Sequence, residues 1–263
     1  MPEDKATRVY DSLAHVYDRW LTGDEAAEPC LGFYEGFIKG VPGRILELGV
    51  GTGRVSLALM AAGADVVGLD GSMAMLGSSR AKIMGDEPGR LDLVCGMFEH
   101  LPFRSGSFTM AVLPMRTLGH LTDPTSITAA FEEVWRVLRH GGRFVFDHYN
   151  FDRCWAEKHD GRPRLMYAGP LDQERGLAIL IWDRYDYEFE LERLRCTVRV
   201  DEVSPDLTRV ASSVSFSFRW FKPEEVAVLA GRVGFEVESC WGDFARGPFT
   251  PDSDQMIFVL RKP

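Results

Sequence analysis

The sequence predicts an α/β fold: a parallel sheet flanked by helices, with a smaller antiparallel sheet inserted towards its C-terminal end. Three observations carry this. Short apolar runs alternate with segments of helical spacing from residue 44 to residue 149, and a glycine-rich turn joins the first run to the helix behind it. After Asn150 the rhythm changes to three successive stretches of period two.

Residues 6–20 place Val9, Leu13, Val16 and Trp20 at helical spacing, with Tyr10 and Tyr17, seven apart, on one face. Pro29 precedes a second helix around 30–40, which Pro42 and Gly43 end. Then come strand 44–48, helix 53–62, strand 65–69, helix 72–84 and strand 91–95, followed by strand 108–113, helix 125–139 and strand 143–149. In 177–191, Ile179, Ile181, Tyr185, Tyr187, Phe189 and Leu191 share one face, and Arg184, Asp186, Glu188, Glu190 and Glu192 form a solvated opposite face. Stretches 194–203 and 209–221 alternate as well, the second with Val214, Phe216, Phe218 and Trp220 on one side. Helical spacing returns at 223–233 behind Pro223, and strands near 235–241 and 255–261 close the pattern.

Composition narrows the function. The chain of 263 residues is 45% apolar and 26% charged, ordinary for a folded domain with a sizeable core. Its net charge of −9 argues against a nucleic-acid partner, which needs a basic face. Five scattered cysteines, Cys30, Cys95, Cys154, Cys196 and Cys240, form no CxxC pair. They read as reduced thiols of a cytoplasmic protein, with neither a disulfide framework nor a metal site. The charged, amphipathic start lacks the apolar core of a signal peptide, and no apolar run reaches membrane-spanning length. A soluble protein is expected.

The glycine loop decides the ligand. In "ILELGVGTGRVSLALMAAGADVVGLD", Gly49, Gly51 and Gly53 give G-x-G-x-G. Arg54 stands where a dinucleotide fingerprint wants its third glycine, and the P-loop lysine is missing. Glu47, two residues ahead of the loop, would repel a pyrophosphate and attract an ammonium or sulfonium. Asp70 ends the next strand, where an acid accepts ribose hydroxyls. Glycines alone would make no more than a tight turn. Together with Glu47 and Asp70 they describe S-adenosylmethionine.

At these residues the chain resembles the class I S-adenosylmethionine-dependent methyltransferases of the small-molecule type. "ILELGVGTGR" and "VVGLDGSMAML" are similar to the family's first two motifs, and "LPFRSGSFTMAVLP" to the segment leading into strand four. "VWRVLRHGGRFVFD" resembles the helix and strand five, "YDSLAHVYDRW" the N-terminal helix that closes over the cofactor, and "RWFKPEEVAVLAGRVGFEV" the last helix and sixth strand. The resemblance covers nearly the whole chain. It implies a Rossmann-like, seven-stranded, mostly parallel sheet with a reversed last strand, here supplied by 255–261, plus an antiparallel three-stranded lid. The implied organisation is a helical cap and cofactor-binding core over 1–150, a lid and substrate wall over 151–222, and core-completing elements over 223–263. It also implies that Gly49 and Gly51 line the methionine portion, with Tyr17 at the amino-acid end and Asp70 at the ribose. Gly71, Ser72 and Met73 would lie near the adenine, and Leu113 near the sulfonium. One departure is that Gly96-Met97 replaces the family's Gly-Asp, so backbone groups of Met97 and Phe98, or packing, would hold the adenine.

Methyl transfer is an in-line displacement at an activated carbon, so alignment of the nucleophile is the main requirement. Arg116, His120, His148 and Tyr149 lie at the ends of strands four and five, where ligands of open sheets gather. His148, beside Asp147, is the base candidate; a capping or surface histidine is the plainer reading. His120 is as readily structural. Arg116 would clamp a substrate carboxylate or phosphate, or simply pair on the surface. On the lid, Asp183 among Ile181, Tyr185 and Tyr187 would receive an amine, or sit at a wet sheet edge. The expected activity is methyl transfer to nitrogen or oxygen of a small molecule. The alternatives are a non-methylating user of the same cofactor, such as a cyclase, a non-catalytic cofactor-binding protein, and a nicotinamide oxidoreductase, which Arg54 and Glu47 disfavour.

Overall fold

The computed structural model describes residues 5–172, 176–206 and 209–263. Strands β1 (Arg44–Leu48), β2 (Asp65–Asp70), β3 (Arg90–Cys95), β4 (Phe108–Leu113), β5 (Leu138–Tyr149), β10 (Glu236–Trp241) and β11 (Gln255–Arg261) form one seven-stranded sheet, ordered β10-β11-β5-β4-β1-β2-β3. The first five run parallel to one another, and β11 runs against both β5 and β10. Its reversed course matches the expectation for 255–261.

The central strands are covered on both faces, which is why they read as unbroken apolar runs. One face packs Phe131, Val134 and Ile127 of α6 (Pro124–Val137) with Val226 and Ala230 of α8 (Pro223–Val233). The other packs Phe33, Tyr34 and Ile38 of α3 (Ala27–Ile38) with Val55 and Leu59 of α4 (Arg54–Ala61). Helix α5 (Met73–Ala81) follows β2 and is N-capped by Ser72, whose Oγ accepts from Met75 N–H at 3.1 Å.

The inserted sheet has four strands, not three. To β7 (Leu177–Glu188), β8 (Arg193–Val203) and β9 (Arg209–Arg219) it adds β6 (Arg164–Asp172), in the order β6-β7-β8-β9, all antiparallel. Register shifts at Leu165/Tyr167 and Pro170/Asp172 break the alternation of β6, so no period-two signal marks it. Helix α7 (Arg153–His159) leads into this sheet. Strand β7 ends at Glu188, and Leu191, assigned above to its buried face, is 59% exposed in a 3-10 turn.

The first helix is broken as well. α1 (Lys5–Leu13) and α2 (Tyr17–Leu21) are separated by a turn, so Tyr10 and Tyr17 do not share one helix, yet their rings meet edge-on at 5.9 Å. Leu13 and Val16 pack beneath the inserted sheet against Ile179, Ile181, Cys196, Val198 and Val200. The N-terminal cap and the insertion thus share a third core, above the carboxyl ends of the parallel strands. No described helix is long and apolar enough to cross a membrane.

Candidate active site

The glycine loop leaves β1 with two N–H groups tied to the neighbouring strand, Gly49 and Val50 both donating to Leu69 C=O, at 2.7 and 3.0 Å. Gly49 has φ 68°, and a Cβ there would stand 2.7 Å from the Thr117 methyl. Gly51 has φ 55°, but its Cβ would meet nothing nearer than the Tyr17 ring at 3.9 Å and Gly49 C=O at 4.0 Å. The loop is therefore packed from below at Gly49 and open at Gly51, with Tyr17 as a roof. Asp70 faces this opening. Its Oδ2 accepts from Gly51 N–H and its Oδ1 from Ser72 N–H, both at 2.8 Å, which leaves each oxygen a further lone pair. Burial raises the Asp70 pKa, and the bonds from Ser72 and Gly51 oppose the rise.

Glu47 is 3% exposed, with Oε2 accepting from the Ser56 hydroxyl of α4 in a short contact. Burial lifts its pKa to about 8, against the counteracting bonds from Ser56. A cation entering the loop would return it to the carboxylate form.

Two carboxylates fasten the cap beside the loop, and sequence periodicity did not single them out. Asp11 accepts from the Ser72 hydroxyl at 2.5 Å and from Ala74 N–H at 3.2 Å. Asp18 accepts from the Thr52 hydroxyl at 2.5 Å and from Lys82 at 2.6 Å. They stand one residue after Tyr10 and Tyr17, in a doubled Tyr-Asp pattern that was the available signal. Around the expected adenine end, Met73 and Met97 are 66% and 37% exposed, Ser72 is buried, and the Cys95 thiol lies 3.7 Å from Gly71 C=O. Phe98 Cζ stands 3.5 Å from where a Gly49 Cβ would be, and the Leu113 side chain is turned into the core.

At the ends of β4 and β5 the expected pairing of Asp147 with His148 is absent. Successive residues of a strand point to opposite faces, so the two side chains diverge. Asp147 meets the Tyr34 hydroxyl at 2.8 Å and the N–H groups of Met115 and Arg116. His148 is fully buried, with Nδ1 3.0 Å from Tyr149 C=O and Nε2 3.1 Å from Arg219 C=O. A neutral ring can donate to only one of these. Burial nevertheless prevails over both carbonyls and depresses its pKa to about 4. His148 thus offers no free lone pair for a substrate proton.

Arg116, the expected anion clamp, is engaged by Asp24 in a short ion pair. Asp183 is neither at a wet edge nor free for an amine. It is 1% exposed and held by Arg164 through two bonds of 2.8 and 2.9 Å. Tyr185 lies under the same guanidinium, 4.6 Å from ring centre to carbon. Tyr187 stacks on Phe189 at 5.6 Å and neighbours Trp220 at 6.1 Å, in the glue between insertion and core.

An aromatic cluster above the strand ends joins cap, core and insertion. The Tyr10 hydroxyl lies 2.9 Å from His120 Nε2. The rings of Tyr10, His120 and Trp20 all contact Phe216, at 5.4, 5.3 and 6.3 Å, while His120 and Tyr149 contact Phe218 at 4.9 and 6.3 Å. Within it, Trp20 Nε1, His120 Nδ1 and the Tyr149 hydroxyl are buried with no hydrogen-bond partner among the described residues. Burial, then the charge of His148, brings the His120 pKa down to about 4. Burial raises the pKa of Tyr10 and of Tyr149 well above the ordinary value. An open groove of about 700 Å³ lies instead on the insertion, beside Trp182, Arg184 and Arg199, and its Arg184 and Arg199 are paired with Asp186 and Asp201.

The chain is similar to known methyltransferases. Residues 45–142 match the methyltransferase domain family. The chain is 26% identical to a Bacillus subtilis (strain 168) protein that bears the name "Putative methyltransferase YqeM", over 97% of this chain and 94% of that one. A solved S-adenosylmethionine-dependent methyltransferase from Clostridium acetobutylicum superposes with a TM-score of 0.76 at 15% identity, over 96% of this chain and 98% of that one. CalS10 from Micromonospora echinaspora, an amino pentose methyltransferase solved with S-adenosylmethionine bound, superposes with a TM-score of 0.67 at 18% identity, over 94% and 97%.

Proposed function

We propose that this chain is an S-adenosylmethionine-dependent methyltransferase that methylates the nitrogen of a small, oxygen-bearing amine held in the aromatic cluster. The cofactor supplies a methyl group already activated on a sulfonium. The residues present suit it: an open backbone at Gly51, spare lone pairs on Asp70 for the ribose, and the buried Glu47 carboxyl for a cationic arm. Tyr17, Gly49, Gly71, Ser72, Met73, Met97 and Phe98 complete the proposed binding surface, to which Leu113, its side chain in the core, could offer only backbone.

The observation that carries the nitrogen reading is the weak basicity at the acceptor end. Both His120 and His148 are depressed to about 4, and Tyr10 and Tyr149 hold their protons. A hydroxyl acceptor needs its proton removed as it attacks, whereas a neutral amine carries its own lone pair. With Tyr10 donating to Nε2, His120 Nδ1 carries the ring proton. Trp20 Nε1, His120 Nδ1 and the Tyr149 hydroxyl then present three donors to oxygen atoms flanking the amine, and Phe216 and Phe218 pack its apolar faces. An aminated, hydroxylated ring meets both demands, in keeping with the amino pentose enzyme among the structural neighbours. The insertion supplies Tyr185, Phe216 and Phe218, which supports reading 151–222 as the substrate wall. The test is S-adenosylhomocysteine release with a panel of amino sugars and cyclic amines against the matching alcohols. Turnover confined to the alcohols overturns the proposal.

A further inference from the structure

Two consecutive non-glycine residues, Met115 and Arg116, hold left-handed backbones with φ of 59° and 61°. Side chains of L-residues resist that conformation, so something outside the turn must hold it. Asp147 on the neighbouring strand does so. Its Oδ1 accepts from Met115 N–H at 3.0 Å and its Oδ2 from Arg116 N–H at 3.1 Å, two successive amides converging on one anion. Tyr34 of α3 donates to Oδ1 at 2.8 Å, and the Cys30 thiol lies 3.7 Å away. Asp147 is 1% exposed, so these protein donors stand in for water. Beyond the turn, the Arg116 guanidinium pairs with Asp24 at the foot of the cap.

The held turn packs directly against the glycine loop, because the Thr117 methyl would stand 2.7 Å from a Cβ on Gly49. We propose that Asp147 is a positioning residue: it fixes the 114–117 turn in its left-handed form, and the turn shapes the part of the cleft that receives the amino-acid arm of the cofactor. This rests on the cofactor placement proposed above.

Asp147→Asn tests it, since a carboxamide offers one acceptor where two backbone N–H groups converge. Calorimetric titrations use S-adenosylmethionine and 5′-methylthioadenosine, which keeps the nucleoside and lacks the amino-acid arm. S-adenosylmethionine should bind about tenfold more weakly and 5′-methylthioadenosine within about twofold of wild type. Adding Met115→Gly should restore most of the loss, because glycine takes a φ near +60° unaided. If Asp147→Asn does not fold, Met115→Val against Met115→Gly in the native chain decides, with valine expected to bind S-adenosylmethionine more weakly than glycine. Equal losses for both ligands, no restoration by glycine, or valine matching glycine would overturn the role of Asp147. A wild-type protein that binds neither ligand would overturn the cofactor placement instead.

Discussion

Replacing Asp70 by alanine separates two jobs that one carboxylate is placed to do. In the structure it already ties Gly51 N–H and Ser72 N–H at 2.8 Å each, and each oxygen keeps a further lone pair. A hydrogen bond to a charged group contributes about 1.5–3 kcal/mol, so loss of the ribose contact alone weakens binding by roughly 10- to 150-fold. Loosening of the glycine loop adds to this, but it acts on every ligand that touches the loop. Titration of wild type and Asp70→Ala with S-adenosylmethionine, and with an analogue lacking both ribose hydroxyls, resolves the two parts. The natural cofactor should lose about 1.5–3 kcal/mol more than the analogue. Equal losses would mean that Asp70 serves only as the loop's tether.

Glu47, with its pKa raised to about 8, keeps its proton in the native state where the unfolded chain has released it. Native stability relative to Glu47→Gln should therefore fall as pH rises from about 4.5 through 8, visible as a wild-type melting temperature that drops relative to that of the variant. Cofactor binding near neutral pH should release a proton in wild type and none in Glu47→Gln, as calorimetry in buffers of differing ionisation enthalpy reports. His120 and His148 act with the opposite sign: their folded pKa values of about 4 mean stability is lost as pH falls from about 6.5 towards 4. His148→Phe should flatten that slope, and a slope unchanged by the substitution would refute the assignment. Tyr185→Phe should raise KM for the acceptor without altering cofactor affinity, whereas Tyr187→Ala, within the Phe189 and Trp220 cluster, should lower Tm and leave turnover per folded molecule intact. The reverse pattern would move the substrate wall away from Tyr185.

The parallel core was legible because its signals are local. β1 reads as a run of apolar residues, the glycines follow at once, and Asp70 closes the unit within 26 residues of Ile45. Periodicity names the face a residue occupies, not the partner that waits there. Asp183 was placed on the right face of β7, but nothing in its neighbourhood announced Arg164, which arrives on the irregular strand β6. Arg116 and Asp24 lie 92 residues apart, and Asp147 reaches back to Met115 across a strand pair. The same limit explains the mistaken link from Asp147 to His148: adjacency in sequence is divergence on a strand.

The decisive atom is the one that receives the methyl group. With S-adenosylmethionine carrying a 13C-labelled methyl and an amino alcohol that the enzyme turns over, the carbon shift of the product reports whether the label sits on nitrogen or oxygen. The shift of an N-methyl group, together with a kcat/KM that rises with pH only up to the pKa of the acceptor amine, is the predicted result. An O-methyl product from the same acceptor would contradict the nitrogen proposal, which rests on the depression by burial of His120 and His148, beside the proposed acceptor site, to about 4.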